Sequence, residues 1–182
     1  MAHLDGKRVA FLLTDGFEDS ELTSPWQAVT DAGARPVLVS PADFTIKGKH
    51  GHEQAVDLPI SDANAEEFDA LVLPGGVVNA DHLRMDEPSI AFARAFFEQK
   101  KPVGVICHGP WLLIEAGVVH DRTITSYPSL KTDLTNAGAT WVDEEVVVHD
   151  GLVSSRTPDD LPAFNAKVVE EIGEGRHVGQ TV

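Results

Sequence analysis

Short, mainly apolar runs alternate along the chain with longer segments in which apolar residues recur at helical spacing. The runs occupy residues 8–13, 34–40, 69–73 and 101–106, and most of them end at glycine or polar turn residues. Runs that are apolar on both faces are typical of parallel strands covered by helices. The alternation therefore predicts an α/β protein with a largely parallel sheet and helices on both of its faces.

The other elements follow from the same patterns. Helices are expected where apolar positions recur every three or four residues, and extended segments where β-branched residues precede turn residues. The predicted helices cover 17–33, 61–68, 88–97, 112–116, 130–137 and 161–172; extended segments cover 123–128, 141–149 and 152–155, with an irregular hairpin within 41–59. One domain spans residues 1–182, with its core at about residues 8–172 and a loose tail at 173–182.

Composition narrows the class of protein. The chain has 14 basic and 29 acidic residues, a net charge of −15, which argues against binding to nucleic acid or to anionic membranes. Neither a signal peptide nor a membrane-spanning run is visible, so a cytoplasmic protein is expected. The single cysteine excludes an internal disulfide and indicates a free thiol.

Three strand ends carry reactive or glycine residues: segment 15–21, with Glu18 and Glu21; segment 74–76, with Gly75 and Gly76; and Cys107. In parallel α/β sheets, ligands bind at the carboxyl ends of the strands. We therefore expect these three segments to converge on one site.

Cys107 is the centre of that expected site. It stands between a buried strand and an apolar helical pattern, where free backbone N–H groups and a helix N-terminus lower the pKa of a thiol. A thiol in this position acts as a nucleophile. The alternative is a buried structural cysteine, since free cysteine is among the most buried residue types.

Two acids can activate the thiol. Glu18 and Glu21 are three residues apart at the start of a helix and share a face. A carboxylate would repel a thiolate, so the acid that touches it should be protonated, with a pKa raised by burial or by a like charge. The alternative for both is a simple favourable interaction with the helix dipole.

His108 follows the nucleophile directly. Consecutive side chains diverge at a turn, so its contact with the thiol is expected to be indirect; it is either a general base or a surface histidine. Asp81 is a candidate acid to orient it. The backbone N–H groups of Gly75, Gly76 and His108 are candidates for an oxyanion hole.

No metal or cofactor is expected. His50 and His52 are two residues apart without nearby carboxylate or cysteine ligands, which favours solvated loop histidines over a metal site. The other histidines show no ligand spacing. Neither of the glycine-rich nucleotide-binding motifs occurs.

Four motifs in order resemble the PfpI family, the intracellular-protease-I branch of its superfamily. They are Asp-Gly-Phe-Glu-Asp-Ser-Glu-Leu at 15–22, Leu-Pro-Gly-Gly at 73–76, Ile-Cys-His-Gly-Pro at 106–110 and Thr-Ser-Tyr-Pro at 125–128. The resemblance runs from about Arg8 to Ile172. It implies a flavodoxin-like three-layer sandwich of the class I glutamine amidotransferase-like type, a homodimer and often a ring of dimers.

The resemblance also implies roles for individual residues. Cys107 would be the nucleophile at the strand-helix elbow and Glu21 the acid that hydrogen bonds its thiol. Glu18 would be a second pocket acid and Tyr127 a pocket tyrosine. His108 would be the base, its acid supplied by the neighbouring subunit, and Asp81 falls where the family often has glutamate.

The reaction stays open among three hypotheses. The leading one is a stress-response enzyme of glyoxalase or deglycase type, acting on methylglyoxal-like dicarbonyls or their adducts, because a thiol beside a protonated acid can add to a small aldehyde. The second is an intracellular cysteine peptidase whose site is completed across subunits. The third is a redox sensor or protective stress protein in which Cys107 oxidises without turnover.

Overall fold

A computed structural model describes residues 3–182, which form eleven strands and six α-helices. The strands are β1 (Arg8–Leu12), β2 (Arg35–Ser40), β3 (Thr45–Lys47), β4 (Glu53–Ala55), β5 (Leu58–Pro59), β6 (Ala70–Leu73), β7 (Val103–Ile106), β8 (Thr123–Ile124), β9 (Thr140–Trp141), β10 (Val147–His149) and β11 (Leu152–Ser155). The helices are α1 (Asp19–Asp31), α2 (Val77–Leu83), α3 (Glu87–Glu98), α4 (Pro110–Glu115), α5 (Lys131–Asn136) and α6 (Leu161–Glu174).

Seven strands form the central sheet in the order β10-β11-β7-β6-β1-β2-β5. Neighbours from β11 to β5 pair in parallel, and only β10 at one edge pairs antiparallel, with β11. The expected α/β fold with a mostly parallel sheet is confirmed. In this order β1, β6 and β7 are adjacent. The three segments that follow them, 15–21, 74–76 and Cys107, therefore meet at the centre of the edge formed by the carboxyl ends of the strands.

The core has two halves, one on each face of the sheet. Alternate residues of β1 point to opposite faces, as the strand period requires. Phe11 packs with residues of α1 and α6 on one face, whereas Leu12 packs with residues of α3, α4 and α5 on the other. This double burial is the reason that the strands read as continuous apolar runs.

Several local expectations differ from the structure. Segment 61–68 forms two short 3₁₀ turns, Ile60–Asp62 and Ala65–Glu67, instead of a helix. Helix α2 is absent from the sequence prediction because its first residues, Val77 and Val78, are β-branched and its apolar positions are few. No helix in the described part of the chain is both long and apolar enough to cross a membrane.

The C-terminal residues make specific contacts. Helix α6 continues through Glu174, and the His177 backbone N–H then donates to the Lys100 carbonyl at 2.9 Å. Further along, Lys100 donates from its side chain to the Val178 carbonyl, and Gln180 is buried. The chain after α6 therefore returns to the start of β7.

Candidate active site

Cys107 occupies the sharp turn between β7 and α4. Its φ is 62°, in the left-handed region that costs a non-glycine residue about 1–2 kcal/mol. Neighbouring backbone holds the turn: the Cys107 N–H donates to the Ser155 carbonyl at 3.0 Å, and the Tyr127 N–H donates to the Cys107 carbonyl at 2.9 Å. A strained backbone that its surroundings fix in this way is a feature of functional sites.

The glycine turn after β6 packs directly against this elbow. A Cβ at Gly75 would lie 2.7 Å from the Cys107 Cβ, and a Cβ at Gly76 would lie 2.7 Å from the Glu18 backbone nitrogen. Both approaches are too close for any residue other than glycine. The two glycines therefore bring the ends of β1, β6 and β7 together around the thiol.

Glu21 projects from the first turn of α1 into the interior and is fully buried. Its Oε2 accepts a 2.7 Å hydrogen bond from the Gly75 N–H, its Oε1 is buried without a hydrogen-bond partner, and its carboxyl lies beside the Cys107 side chain. Burial, together with the nearby Glu18 charge, raises the pKa of Glu21 to about 8. Glu21 is therefore protonated at neutral pH, as a carboxyl beside a nucleophilic sulfur should be.

The Cys107 thiol is itself buried, and burial, together with the charge that Glu21 carries once it ionises, raises the pKa of the thiol to about 12. The N–H groups of Gly76 and His108 point at the sulfur and act in the opposite direction. The expectation of a lowered thiol pKa is therefore wrong for this structure, because α4 has only six residues and desolvation outweighs the N–H groups. Cys107 therefore rests as a neutral thiol, which would need a base to act as a nucleophile.

The imidazole of His108 lies next to this thiol. Its Nδ1 lies 3.2 Å from the Cys107 Sγ, so the contact is direct and not the indirect one expected from the sequence. Burial and the positive charge of Lys49 lower the pKa of His108, which leaves the imidazole neutral and able to accept a proton. The ring stacks on Tyr127, with centroids 4.7 Å apart and planes 25° from parallel.

Glu18 lies beside the pocket in an ion-pair cluster. Its two carboxylate oxygens face the Lys49 Nζ at 2.5 Å and the His50 Nε2 at 3.4 Å. Both partners come from the turn between β3 and β4, which Asp19 holds by accepting hydrogen bonds from the backbone N–H groups of His50 and His52. Lys49 was not expected at the site, since its approach depends on how this hairpin folds over α1.

Asp81 and Asn79 lie on the same helix, α2, in opposite environments. Asp81 is exposed, and within residues 3–182 the His108 ring has no carboxylate hydrogen-bond partner; its Nε2 faces the Ser129 hydroxyl at 3.4 Å. The structure of one chain therefore does not bring Asp81 to His108. Asn79 is fully buried and donates to the Gly75 carbonyl at 2.9 Å, which fixes the glycine turn.

The expected oxyanion hole needs a correction. The Gly75 N–H is occupied by the Glu21 carboxyl, because Glu21 reaches in from α1 below the glycine turn. The N–H groups of Gly76 and His108 remain directed at the Cys107 sulfur. These two groups, without Gly75, are placed to hold an oxygen bonded to an atom that the sulfur attacks.

The amino-acid sequence matches the model of a known protein family. The family model described as "DJ-1/PfpI family" matches residues 7–171. The chain belongs to the DJ-1/PfpI family. Its α/β fold agrees with a solved structure of that kind: a two-domain protein from Anabaena variabilis, with DJ-1/ThiJ/PfpI-like and ferritin-like domains, has a TM-score of 0.89 at 33% identity, over 97% of this chain and 50% of that one.

Several relatives of this DJ-1/PfpI chain are similar over most of their length. General stress protein 18 of Bacillus subtilis is 50% identical over 88% of this chain and 94% of its own. A second Bacillus subtilis relative, YraA, is named as a candidate cysteine protease and is 49% identical over 87% of this chain and 94% of its own. Deglycase PH1704 of Pyrococcus horikoshii is 47% identical over 90% of this chain and 98% of its own.

The buried acid predicts a pH-dependent stability. The folded-state pKa of Glu21 lies above its unfolded value, so the native protein binds more protons than the unfolded chain between about pH 4.5 and about pH 8. Stabilisation by the protonated carboxyl is therefore full below this window and is lost as the pH rises through it. Glu21→Gln removes the titration, and its free energy of unfolding should gain on the wild type across the window.

Urea denaturation of both proteins at several pH values measures this difference. Glu144→Gln is the matched control, because Glu144 is an exposed glutamate in the segment before β10. A difference between Glu21→Gln and wild type that stays constant with pH would contradict a raised Glu21 pKa.

Proposed function

We propose that this protein is a cysteine-dependent enzyme of aldehyde stress, which converts methylglyoxal-like dicarbonyls to 2-hydroxy acids and acts on their adducts. The observation that carries the proposal is the arrangement of three side chains at the elbow. The Cys107 Sγ lies 3.2 Å from the Nδ1 of the neutral base His108, and the carboxyl of the protonated acid Glu21 lies beside the Cys107 side chain, where both pack against Gly75. A nucleophile, a base and an acid are the groups that carbonyl addition and isomerisation need.

The first step joins the sulfur to the aldehyde. As Sγ forms a bond to the aldehyde carbon, the thiol proton passes to His108 Nδ1 and the carbonyl π electrons move to its oxygen. The N–H groups of Gly76 and His108 stabilise that oxyanion. Glu21 then protonates it, which leaves a hemithioacetal, a Glu21 carboxylate and a protonated His108.

The second step moves one proton along the substrate. The Glu21 carboxylate removes the hydrogen from the sulfur-bearing carbon to give an enediolate and returns a proton to the neighbouring carbon, while the hydroxyl proton of the sulfur-bearing carbon passes to the oxygen of its neighbour. The product is a thioester of the 2-hydroxy acid. Water attacks this thioester and the C–S bond breaks; the protonated His108 returns a proton to the sulfur, one proton of the water passes to Glu21, and the other stays on the released acid.

The same addition chemistry fits adducts of dicarbonyls. The adduct of a dicarbonyl with an amine or thiol carries the same carbon framework, and a thiol can take the carbonyl carbon from its carrier. The name of Deglycase PH1704 and that of general stress protein 18 support this class of activity. Small substrates suit the site, because the reacting thiol is buried and only a small group reaches it.

The direct test of the proposal is product formation by the wild-type protein. Purified protein incubated with methylglyoxal should release lactate, measured with a lactate-specific coupled assay, at a rate proportional to protein concentration. Protein alkylated at its single cysteine serves as the control. Lactate formation no faster than with the alkylated protein would contradict the proposal.

We also propose that the protein works in the cytoplasm as a homodimer, with higher rings of dimers as a further assembly. A reducing compartment preserves a working thiol. Helix α2 exposes Val77 and Val78, each about half accessible, next to the exposed Asp81. A second copy seated on this face would bury the valines and could supply Asp81 to the open Nε2 side of His108.

Substitution of Asp81 distinguishes the proposed aldehyde-stress enzyme from a peptidase. Asp81→Asn should leave lactate formation within about twofold of wild type, because the proton transfers above use Nδ1 of His108 and not Nε2, and surface changes of this kind are usually small. If the site is instead a peptidase completed across subunits, cleavage of a denatured protein substrate should fall in the same variant. Lactate assays, casein cleavage and light scattering on one preparation separate the outcomes.

A further inference from the structure

The far end of the molecule brings together three metal-binding side chains that are unrelated to the thiol site. Glu171 and Glu174 lie on the last turn of α6, and His177 lies on the segment that follows. One ligand atom from each side chain lies within 4.8 Å of the other two, and among residues 3–182 this is the group of histidine, cysteine and acidic residues that meets that condition.

One of the three ligand atoms, the His177 Nε2, is buried without a hydrogen bond, and it lies against the Glu171 carboxylate. The Glu171 side chain is only 8% exposed, and within the described residues it makes no side-chain hydrogen bond. The His177 Nε2 is buried and also lacks a hydrogen-bond partner, although it lies 3.0 Å from Glu171 Oε2. The two atoms are therefore close together without pointing along a shared N–H···O line.

This arrangement fits two ligands of one ion. Nitrogen and oxygen ligands of a tetrahedral zinc ion lie about 2.0–2.2 Å from the metal, and hence roughly 3.4 Å from each other. Atoms bound to one ion direct their lone pairs at the ion and not at each other, which accounts for the missing hydrogen bond. A buried imidazole nitrogen without a hydrogen-bond partner is otherwise costly.

The third ligand and the surrounding charge support a cation at this place. Glu174 is exposed, so its side chain can swing toward the other two without disturbing the core. The last turn of α6 carries acidic residues and no basic one, which is unfavourable at the negative end of a helix dipole. A divalent cation would offset that charge.

The imidazole is held in place by backbone packing. The His177 N–H donates to the Lys100 carbonyl at 2.9 Å, and Gly151 packs so closely that a Cβ there would lie 2.7 Å from the His177 Cδ2. Lys100 precedes β7, whereas Cys107 follows it, so the two sites lie at opposite ends of that strand. The cluster is therefore separate from the thiol chemistry.

We propose that Glu171, Glu174 and His177 form a zinc site that fastens the C-terminal segment to α6. Two carboxylate oxygens and one imidazole nitrogen suit zinc, with water as the fourth ligand. Zinc binds the folded arrangement and not the unfolded chain, so it stabilises the protein by mass action. The site is structural, since it joins two segments at the surface and lies away from the thiol.

Zinc titration of chelator-treated full-length protein tests the proposal. Calorimetry should show one site per chain and a melting temperature that rises with zinc. Glu174→Gln and His177→Gln should each weaken binding at least about tenfold, since even outer-shell changes at metal sites cost 10–100-fold. Glu170→Gln, which removes the same charge from the same helix outside the cluster, should bind as the wild type does.

Two further measurements make each outcome decisive. Zinc-free melting temperatures show that Glu174→Gln, a surface change, is folded, and Cys107→Ala protein tests whether the thiol is the ligand. Retained binding in Cys107→Ala together with loss in Glu174→Gln supports the site. Three results would overturn the proposal. They are equal zinc affinity in Glu174→Gln and Glu170→Gln, loss of zinc binding in Cys107→Ala, and no zinc binding by the wild type.

Discussion

Cys107→Ala should lower lactate formation from methylglyoxal by at least about a thousandfold, within the range observed when a catalytic nucleophile is removed. The reason is that every step after substrate entry passes through a carbon–sulfur bond, and no other described side chain in the pocket is a thiol. A lactate-coupled assay at saturating methylglyoxal, with the alkylated wild type as background, measures the loss.

A second substitution at the same position separates chemistry from folding. Cys107 has a φ of 62°, which glycine adopts freely and alanine does not, so Cys107→Gly should be more stable than Cys107→Ala by about 1 kcal/mol. Both variants should be inactive. Turnover in either variant above about a tenth of the wild-type rate would contradict a nucleophilic role for the thiol.

Glu21→Gln should lower turnover by a factor of about 10²–10⁴, the contribution of a positioned general acid or base. Glutamine keeps an oxygen to accept the Gly75 N–H, so the glycine turn should stay in place. It lacks the proton that Glu21 gives to the oxyanion and cannot become the carboxylate that moves a proton between carbons. The loss should appear in kcat, measured from the initial rate of lactate formation at saturating substrate.

Glu18→Gln is the matched control for that variant. It makes the same chemical change at the start of the same helix, where the carboxylate pairs with Lys49 and His50. Activity needs the protonated form of Glu21, so it should fall as the pH rises through the Glu21 pKa. Because the Glu18 charge raises that pKa, Glu18→Gln should lower it and shift this fall in activity to lower pH. Full turnover in Glu21→Gln would contradict the proton shuttle.

The fold was largely predictable because its strands are buried on both faces. Runs such as 8–13 and 69–73 have one interpretation when helical segments separate them, and β1 and β6 lie there in the structure. The exceptions are elements in which tertiary contacts decide the conformation. Helix α2 begins with two β-branched residues, and its position depends on Asn79 bonding to the backbone around Gly75.

The site was predictable where it follows from strand ends and less so where it depends on packing. Cys107, Glu21 and Gly75 meet because β1, β6 and β7 are neighbours in a parallel sheet. The contact of His108 with the thiol depends on the positive φ of Cys107, which no sequence pattern specifies. Lys49 arrives from a hairpin, and only the folded hairpin shows that it faces Glu18.

The direction of the thiol pKa could not be predicted from local sequence. A cysteine before a helix suggests a lowered pKa, but the value depends on how deeply the sulfur is buried and on what lies beside it. Here burial and Glu21 outweigh the two N–H groups that stabilise a thiolate. The Glu171 and His177 pair could not be predicted from the sequence for a similar reason, because the two residues meet only after the segment following α6 folds back.

The central claim is that Cys107 rests as a neutral thiol beside a protonated Glu21 and is activated by His108 when substrate binds. The rate of alkylation by iodoacetamide, followed against pH, reports on this thiol alone, because the chain has one cysteine. In the wild type the rate should stay low at neutral pH and rise only toward about pH 12, and in Glu21→Gln, which cannot become negatively charged, the rise should move to lower pH. A rate that reaches its plateau below neutral pH, unchanged by Glu21→Gln, would contradict the account.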